Sequence, residues 1–284
     1  MREGRRDGSG APAARVEAVR TALAAALSAA AAGLEGAGDS AGKVHRTRRA
    51  LKTSAALAQL FTVAAPRETA ALLSLVKAAR RSLGDVRDLD VFSQTAERLG
   101  LDEDVLAAVR TAVGREQRRL ASNPAFAPWI RRLHAAEARV RRLRPAVSDD
   151  ELVEMIASGY GSARKMGANG FAGLNAEDLH DLRKRVVDLS EQLAVWTGRP
   201  GEADAFDRLR QILGKHQDFD ALLHFVEGRR DLLMHEKGGI AAAAKTRLKV
   251  MRKRAAAMHA RLFVEPRKVF LKRLRSAPAA AIES

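Results

Sequence analysis

Two short patterns recur in the same order along the chain, and this repetition constrains the fold more than any other feature. Val44-His45 opens a segment with Phe61 sixteen positions after the His, and Leu179-His180 opens another with Trp196 at the same distance. Further along, Leu83-Gly84-Asp85-Val86-Arg87-Asp88-Leu89-Asp90 is echoed by Leu213-Gly214-Lys215-His216-Gln217-Asp218-Phe219-Asp220. The offset is 135 residues for the two His positions and 130 for the two Gly positions. Paired landmarks at nearly equal offset predict an internal duplication. Two copies are too few for an open solenoid and point to a pseudo-twofold pair of bundles. The boundary is expected near Pro145 to Ser148. It separates a first half (13–147) from a second (148–275), between flexible ends at 1–12 and 276–284.

The expected fold class is all-α. Aromatics are 4% of the chain, alanine is abundant, and β-branched residues do not cluster at alternating spacing, a mixture that favours helices. Breakers divide the chain into about a dozen helical stretches. A glycine-rich loop is expected over Gly33 to Gly42, and Pro66 suits a first helical turn. Gly84 and Gly100 punctuate the next stretches, and Asn123-Pro124 ends a long basic helix. Ser148-Asp149-Asp150-Glu151 caps a helix start. Gly167 to Gly173 and Thr197 to Gly201 are loops, and Gly238-Gly239 and Glu265-Pro266 are breaks. Short loops between helices describe bundles.

Lys and Arg number 50 against 34 Asp and Glu, a formal net charge of +16. Such an excess calls for a polyanionic partner: nucleic acid, an anionic membrane surface or a phosphate polymer. The absence of Cys excludes disulfides and thiolate zinc sites and fits a cytoplasmic location. Arg2, Arg5 and Arg6 before an Ala-rich run, Thr21 to Leu34, resemble a signal peptide in outline. Arg15, Glu17 and Arg20 interrupt the approach, and the run is too short to span a bilayer. A domain helix is the preferred reading, with no transmembrane segment.

On a helix turning about 100° per residue, His45, Arg48, Arg49 and Lys52 fall within one arc. Val44, Leu51, Leu57, Ala58 and Phe61 occupy the other side. In the second copy Leu179, Leu182, Val186, Leu189, Leu193 and Trp196 form the apolar stripe, opposite His180, Arg183 and Lys184. Val187 stands where Lys52 does, and Asp188 and Glu191 intrude, so the second strip is the weaker anion site. A phosphate chain offers about one charge per unit and no bases to read. Closely spaced Arg forks and Lys point charges suit it, although a solvated basic face satisfies the same pattern.

Further strips could line the same surface: Lys77, Arg80 and Arg81, with Arg210 as the second-copy partner of Arg80; Arg115, Arg118 and Arg119; and Lys245, Lys249 and Arg252, with Lys253 opposite Arg119. The run Arg139, Arg141, Arg142, Arg144 is not clearly echoed. Asp88, Asp90, Asp218 and Asp220 follow a Gly at an expected helix start, where the dipole favours acids. A structural role holding Arg side chains suits them better than catalysis. No second His lies at ligand spacing to His180-Asp181, so no metal site is expected. No cofactor is expected either. Trp129 and Tyr160 suit core or rim.

A His-initiated basic helix ending in an aromatic, followed by Leu-Gly-x-x-Arg-Asp-x-Asp, resembles the CHAD domain, the conserved histidine α-helical domain. Residues 44–52 and 83–91 carry the resemblance, which extends from about residue 13 to 275. It implies two pseudo-twofold-related bundles with a basic cavity between them, and binding of long-chain inorganic polyphosphate. For some members it implies association with polyphosphate or polyhydroxyalkanoate granules and their proteins. By position His45, Arg48, Lys52, His180, Arg183 and Arg87 match the family's His and basic residues. Lys52-Thr53, Ala55 and Gln217 depart from the Arg positions of the pattern. No alternating Glu-x-Glu-x-Lys strand of the triphosphate-tunnel (CYTH) domain is present, so a stand-alone, non-catalytic binder is expected. A non-specific nucleic-acid-binding helical protein is the alternative, and a phosphohydrolase a third.

Overall fold

A computed structural model describes residues 14–36, 40–119, 126–198 and 200–277, and every regular element among them is helical. The ends expected to be flexible (1–12 and all but 276–277 of the second) and the Asn123-Pro124 break lie outside the described residues. The elements are α1 (Ala14–Glu35), α2 (Ser40–Ala58) with a 3₁₀ turn at Gln59–Phe61, α3 (Pro66–Ser82), α4 (Gly84–Glu97), α5 (Glu103–Arg119) and α6 (Phe126–Arg142), then α7 (Asp149–Met166), α8 (Ala176–Thr197), α9 (Pro200–Glu227), α10 (Met234–Leu262) and α11 (Arg267–Arg275).

Local chemistry accounts for the starts. Pro66 opens α3, where its missing N–H costs nothing. Ser148 and Glu151 form a reciprocal capping box at α7, with bonds of 3.2 and 2.8 Å. Asn175 and Asp178 do the same for α8, at 2.9 Å each way. The α8–α9 turn passes through left-handed Gly198 (φ 59°).

Three expectations need correction. The loop after α1 is shorter than Gly33 to Gly42: Gly33 is buried inside α1, and Gly42 lies inside α2. Gly33 is what lets α2 approach, since a Cβ there would sit 2.6 Å from Thr47 Oγ1. Thr47 is itself fully buried and donates to the Ala30 carbonyl at 3.2 Å. Gly238-Gly239 does not break a helix: both lie in α10, which starts after a bend at 229–233. There Arg229 bridges Asp231 and Glu116, and buried Ile240 anchors the helix just past the glycines. Packing overrides the glycine penalty. The expectation that the Ala-rich run is too short to span a bilayer also changes, because it lies in the 22-residue α1. By length and composition α1 is the one described helix that could cross a membrane. Here Val16, Val19, Leu23 and Leu27 are buried as α1 packs along α2 and α6.

Two hydrophobic clusters organise these helices. The larger joins α1, α2, α3, α6, α7, α8, α11, the first part of α9 and the end of α10. The smaller joins α4, α5, the end of α9 and the first part of α10. Each draws on residues from both sides of position 147. The chain changes cluster at related places. Leu83 belongs to the larger and Leu89 to the smaller, with Gly84 between them. Leu213 and Phe219 straddle the change in α9, with Gly214 between them, and Met251 and Ala255 straddle it in α10 around Arg252.

Candidate anion site at the junction of the two cores

α2 and α8 meet inside the larger cluster through polar side chains. Thr53 Oγ1 donates to Glu191 Oε2 at 2.9 Å, Gln59 Nε2 to Asp188 Oδ2 at 3.0 Å, and Gln192 Nε2 to the Ala56 carbonyl at 2.8 Å. The order of these contacts makes the two helices antiparallel, so their basic starts, at His45 and His180, diverge from the crossing.

Each start sends an arginine to one of the repeated glycines. Arg48 lies beside Gly84, where a Cβ would be 3.9 Å from its Nη1, and donates to the Arg80 carbonyl in the last turn of α3. Arg183 lies against Gly214, where a Cβ would be 3.4 Å from Nη2, and donates to Gln217 Oε1 at 2.5 Å. A flat guanidinium seats most closely where the backbone carries no side chain. Gln217 stands at the motif position of Arg87, so the second half has an acceptor where the first has a cation. The halves differ in backbone as well: α3 and α4 are separate around Gly84, while α9 runs unbroken through Gly214.

His180 is half-buried beside this seat. Burial holds its imidazole below the ordinary histidine range, with the Gln217 hydrogen bond acting the other way. Its Nδ1, like Nε of Arg80, is buried without a hydrogen-bond partner among the described residues. Arg80 is pushed down by burial, opposed by the charge of Asp188. Burial raises Asp188 itself to about 6, although Gln59, Arg80 and Arg185 favour its charged form. On α9, burial alone would raise Asp207, but hydrogen bonds from Arg210 (2.5 Å) and Gln211 hold it low, helped by the charge of Arg49. Each of these acids thus faces cations from both halves of the chain or from neighbouring helices.

The remaining candidates divide by role. His45, Arg49, Lys77 and Arg81 are exposed, and Lys52 is half-buried. Lys184 is exposed and pairs with Asp181 at 2.8 Å. Arg115 pairs with Asp231 at 2.9 Å on the smaller core. Arg118, Lys245, Lys249 and Lys253 are exposed on α5 and α10. Arg252 is committed to the main chain, where its Nη2 donates to the carbonyls of Phe171 and Leu174 at 2.5 and 2.7 Å. That turn contains Phe171 at φ 69°, a left-handed backbone rare for a bulky residue. The side chains of Arg87, Arg119, Asp88 and Asp90 lie outside the described part. Asp218 and Asp220 sit in the middle of α9, so the helix-start argument does not apply to them. Burial lowers His216, with Asp220 opposing and Arg252 assisting. Among the described residues no group of three His, Asp or Glu could hold a metal.

Sequence reasoning missed Arg185 and Asp207 as members of this region, and it placed Asp188 on the second strip only as an intruding acid. An acid on an otherwise basic helix, as at Asp188 on α8, was the available signal, and it reads equally as dilution of charge until the neighbouring helix is placed.

The CHAD domain family model matches residues 21–227 of the chain. No curated protein matches it.

Proposed function

Because the chain belongs to the CHAD domain family, we propose that it is a non-catalytic binder of inorganic polyphosphate, using the cations gathered where the two cores meet. The observation that carries this reading is the arginine seat repeated in both halves, Arg48 at Gly84 and Arg183 at Gly214. Each seat lies where the chain passes between cores, and exposed cations stand near it: His45 and Arg49 on α2, Lys77 and Arg81 on α3, Lys184 on α8. The repetition supports a duplicated ancestor whose two bundles exchanged helices into shared cores. A polymer of phosphates has a use for such a series of Arg forks and mobile Lys charges and requires no base-reading surface.

Half-buried Arg48 and Arg183 fix the frame, and the exposed residues supply the charge that meets the ligand. Asp207 holds Arg210 in place, and Asp188 accepts from Gln59 within reach of the charges of Arg80 and Arg185. With Asp188 and Glu191 on it, α8 contributes less to the field than α2. On this reading the protein works in the cytoplasm, and polyphosphate-rich granules are where it would concentrate.

The test is binding of labelled long-chain polyphosphate over a salt series, with duplex DNA as competitor and phosphate release followed in parallel. Tight binding that weakens with salt, resists DNA and releases no phosphate supports the reading. Preferential displacement by DNA would convert the site into a nucleic-acid surface, and metal-dependent phosphate release would make the protein a hydrolase.

A further inference from the structure

A second site lies away from the junction of the cores. Between α1, α3 and α6 runs a cleft of about 570 Å3, within the range of small-molecule pockets. Its walls are aliphatic and aromatic: Leu23, Phe61, Leu72, Leu75, Val140 and Leu143. Thr69 also lines it, but its hydroxyl already donates to the Phe61 carbonyl at 3.1 Å. The rim is cationic, with Arg132, Arg139 and Arg142 from α6 and, among the described residues, one carboxylate, Glu68.

The C-terminal helix offers a contrast within the same chain. α11 is equally basic, but its arginines are paired: Arg267 with Glu154, Arg273 with Glu202 and Glu265, Arg275 with Asp150. The rings of Tyr160, Phe206, Phe263 and Phe270 fill the space beneath it, with Tyr160 and Phe270 stacked at 3.8 Å. On α6, Arg141 has Glu137 and His134 has Glu35. The three arginines at the cleft make no ion pair with a described carboxylate. Arg132 stacks on Trp129, and Arg142 donates to the carbonyl of Ala138 in its own helix. An open apolar slot and unpaired arginines therefore occur together on α6, whereas on α11 the arginines are paired and the space beneath is filled.

We propose that this cleft binds a free long-chain fatty carboxylate, with the acyl chain between α3 and α6 and the head group on Arg139 and Arg142. An apolar body and one anionic end match the two chemistries of the lining. A bare phosphate polymer matches only the rim, which keeps this site distinct from the one at the junction of the cores.

The experiment is equilibrium binding of radiolabelled palmitate to the full chain, below the concentration at which palmitate aggregates, with methyl palmitate as the uncharged counterpart. One palmitate per chain is expected, with the ester bound at least about tenfold more weakly, the worth of a charge-assisted contact. Arg139→Ala/Arg142→Ala should lose about tenfold or more. Ala71→Trp, at an exposed position on the lining, should abolish binding by filling the slot while leaving the melting curve in place. Excess polyphosphate should not displace palmitate. No saturable binding, equal binding of the ester, an unaffected arginine variant, or displacement by polyphosphate would each overturn the proposal. The ester and the arginine variant decide the matter even if Ala71→Trp folds poorly.

Discussion

Arg183 lies flat against the bare backbone of Gly214, its Nη2 3.4 Å from where a Cβ would sit. At that distance a single methyl is tolerated, and a longer side chain is not. Gly214 lies inside the 28-residue α9, where glycine is about 0.5–1 kcal/mol worse than alanine. Gly214→Ala should therefore raise stability by roughly that amount in urea unfolding. Gly214→Leu should lower it by about 1–3 kcal/mol through overpacking and weaken polyphosphate binding by dislodging the guanidinium. A stable, fully binding Leu variant would show that the seat is incidental.

Gly33 should behave in the opposite way. Its added Cβ would meet Thr47 Oγ1 at 2.6 Å and the Thr47 backbone nitrogen at 3.1 Å. The hydroxyl cannot swing away without abandoning the Ala30 carbonyl. Gly33→Ala should cost on the order of 1–2 kcal/mol net, since overpacking outweighs the gain in helix propensity. Thermal melts of the purified variant settle the sign.

Asp188 sets a pH dependence. Burial raises its carboxyl from an ordinary 3.8 to about 6. A carboxyl raised in the folded state favours folding fully below its unfolded value, and that contribution is lost as pH rises through the folded value. The stability of the wild type relative to Asp188→Asn should therefore fall by roughly 2–3 kcal/mol between about pH 4 and pH 7. Urea midpoints for both proteins across that window measure it. A difference that stays flat would mean that the group does not titrate there.

Arg252 separates architecture from binding. Its removal takes the side-chain donor from the Leu174 carbonyl and leaves the Phe171 carbonyl with only the Leu174 N–H, next to a left-handed Phe171. Arg252→Ala should lose about 1.5–3 kcal/mol of stability with little change in polyphosphate affinity at a temperature where the variant remains folded. A large affinity loss without a stability loss would return Arg252 to the binding set.

Lys77 and Arg81 are exposed on α3. Lys77→Ala/Arg81→Ala should leave stability within about 0.5 kcal/mol and reduce the slope of log affinity against log salt by roughly one for each lost phosphate contact. An unchanged slope would exclude both from the contact surface.

Much of this was legible in the sequence, and the reason differs by feature. The helical class, the Pro66 and Ser148 starts and the apolar faces of α2 and α8 follow from local periodicity and capping, which act within a few residues. The repeated His and Gly landmarks could be read, but their mutual contact could not. Residues 48 and 84, or 183 and 214, are more than thirty positions apart, and spacing along a chain says nothing about which glycine receives which arginine. Gly238-Gly239 misled because an exposed pair of glycines is cheap when Ile240 beside it is buried. Asp188 reads as dilution of a basic face until Gln59 and Arg80 are seen around it.

The passage of α9 and α10 from one core to the other has a consequence during synthesis. The smaller core contains Leu89 and Val109 from early in the chain, but also Ile240 and Met251. The larger core begins with Val16 and closes with Phe270 and Leu274. A nascent chain halfway out of the ribosome holds two incomplete apolar surfaces and can finish neither. Sequential, domain-by-domain folding is unavailable to it, so the two cores must wait for α10 and α11 to emerge.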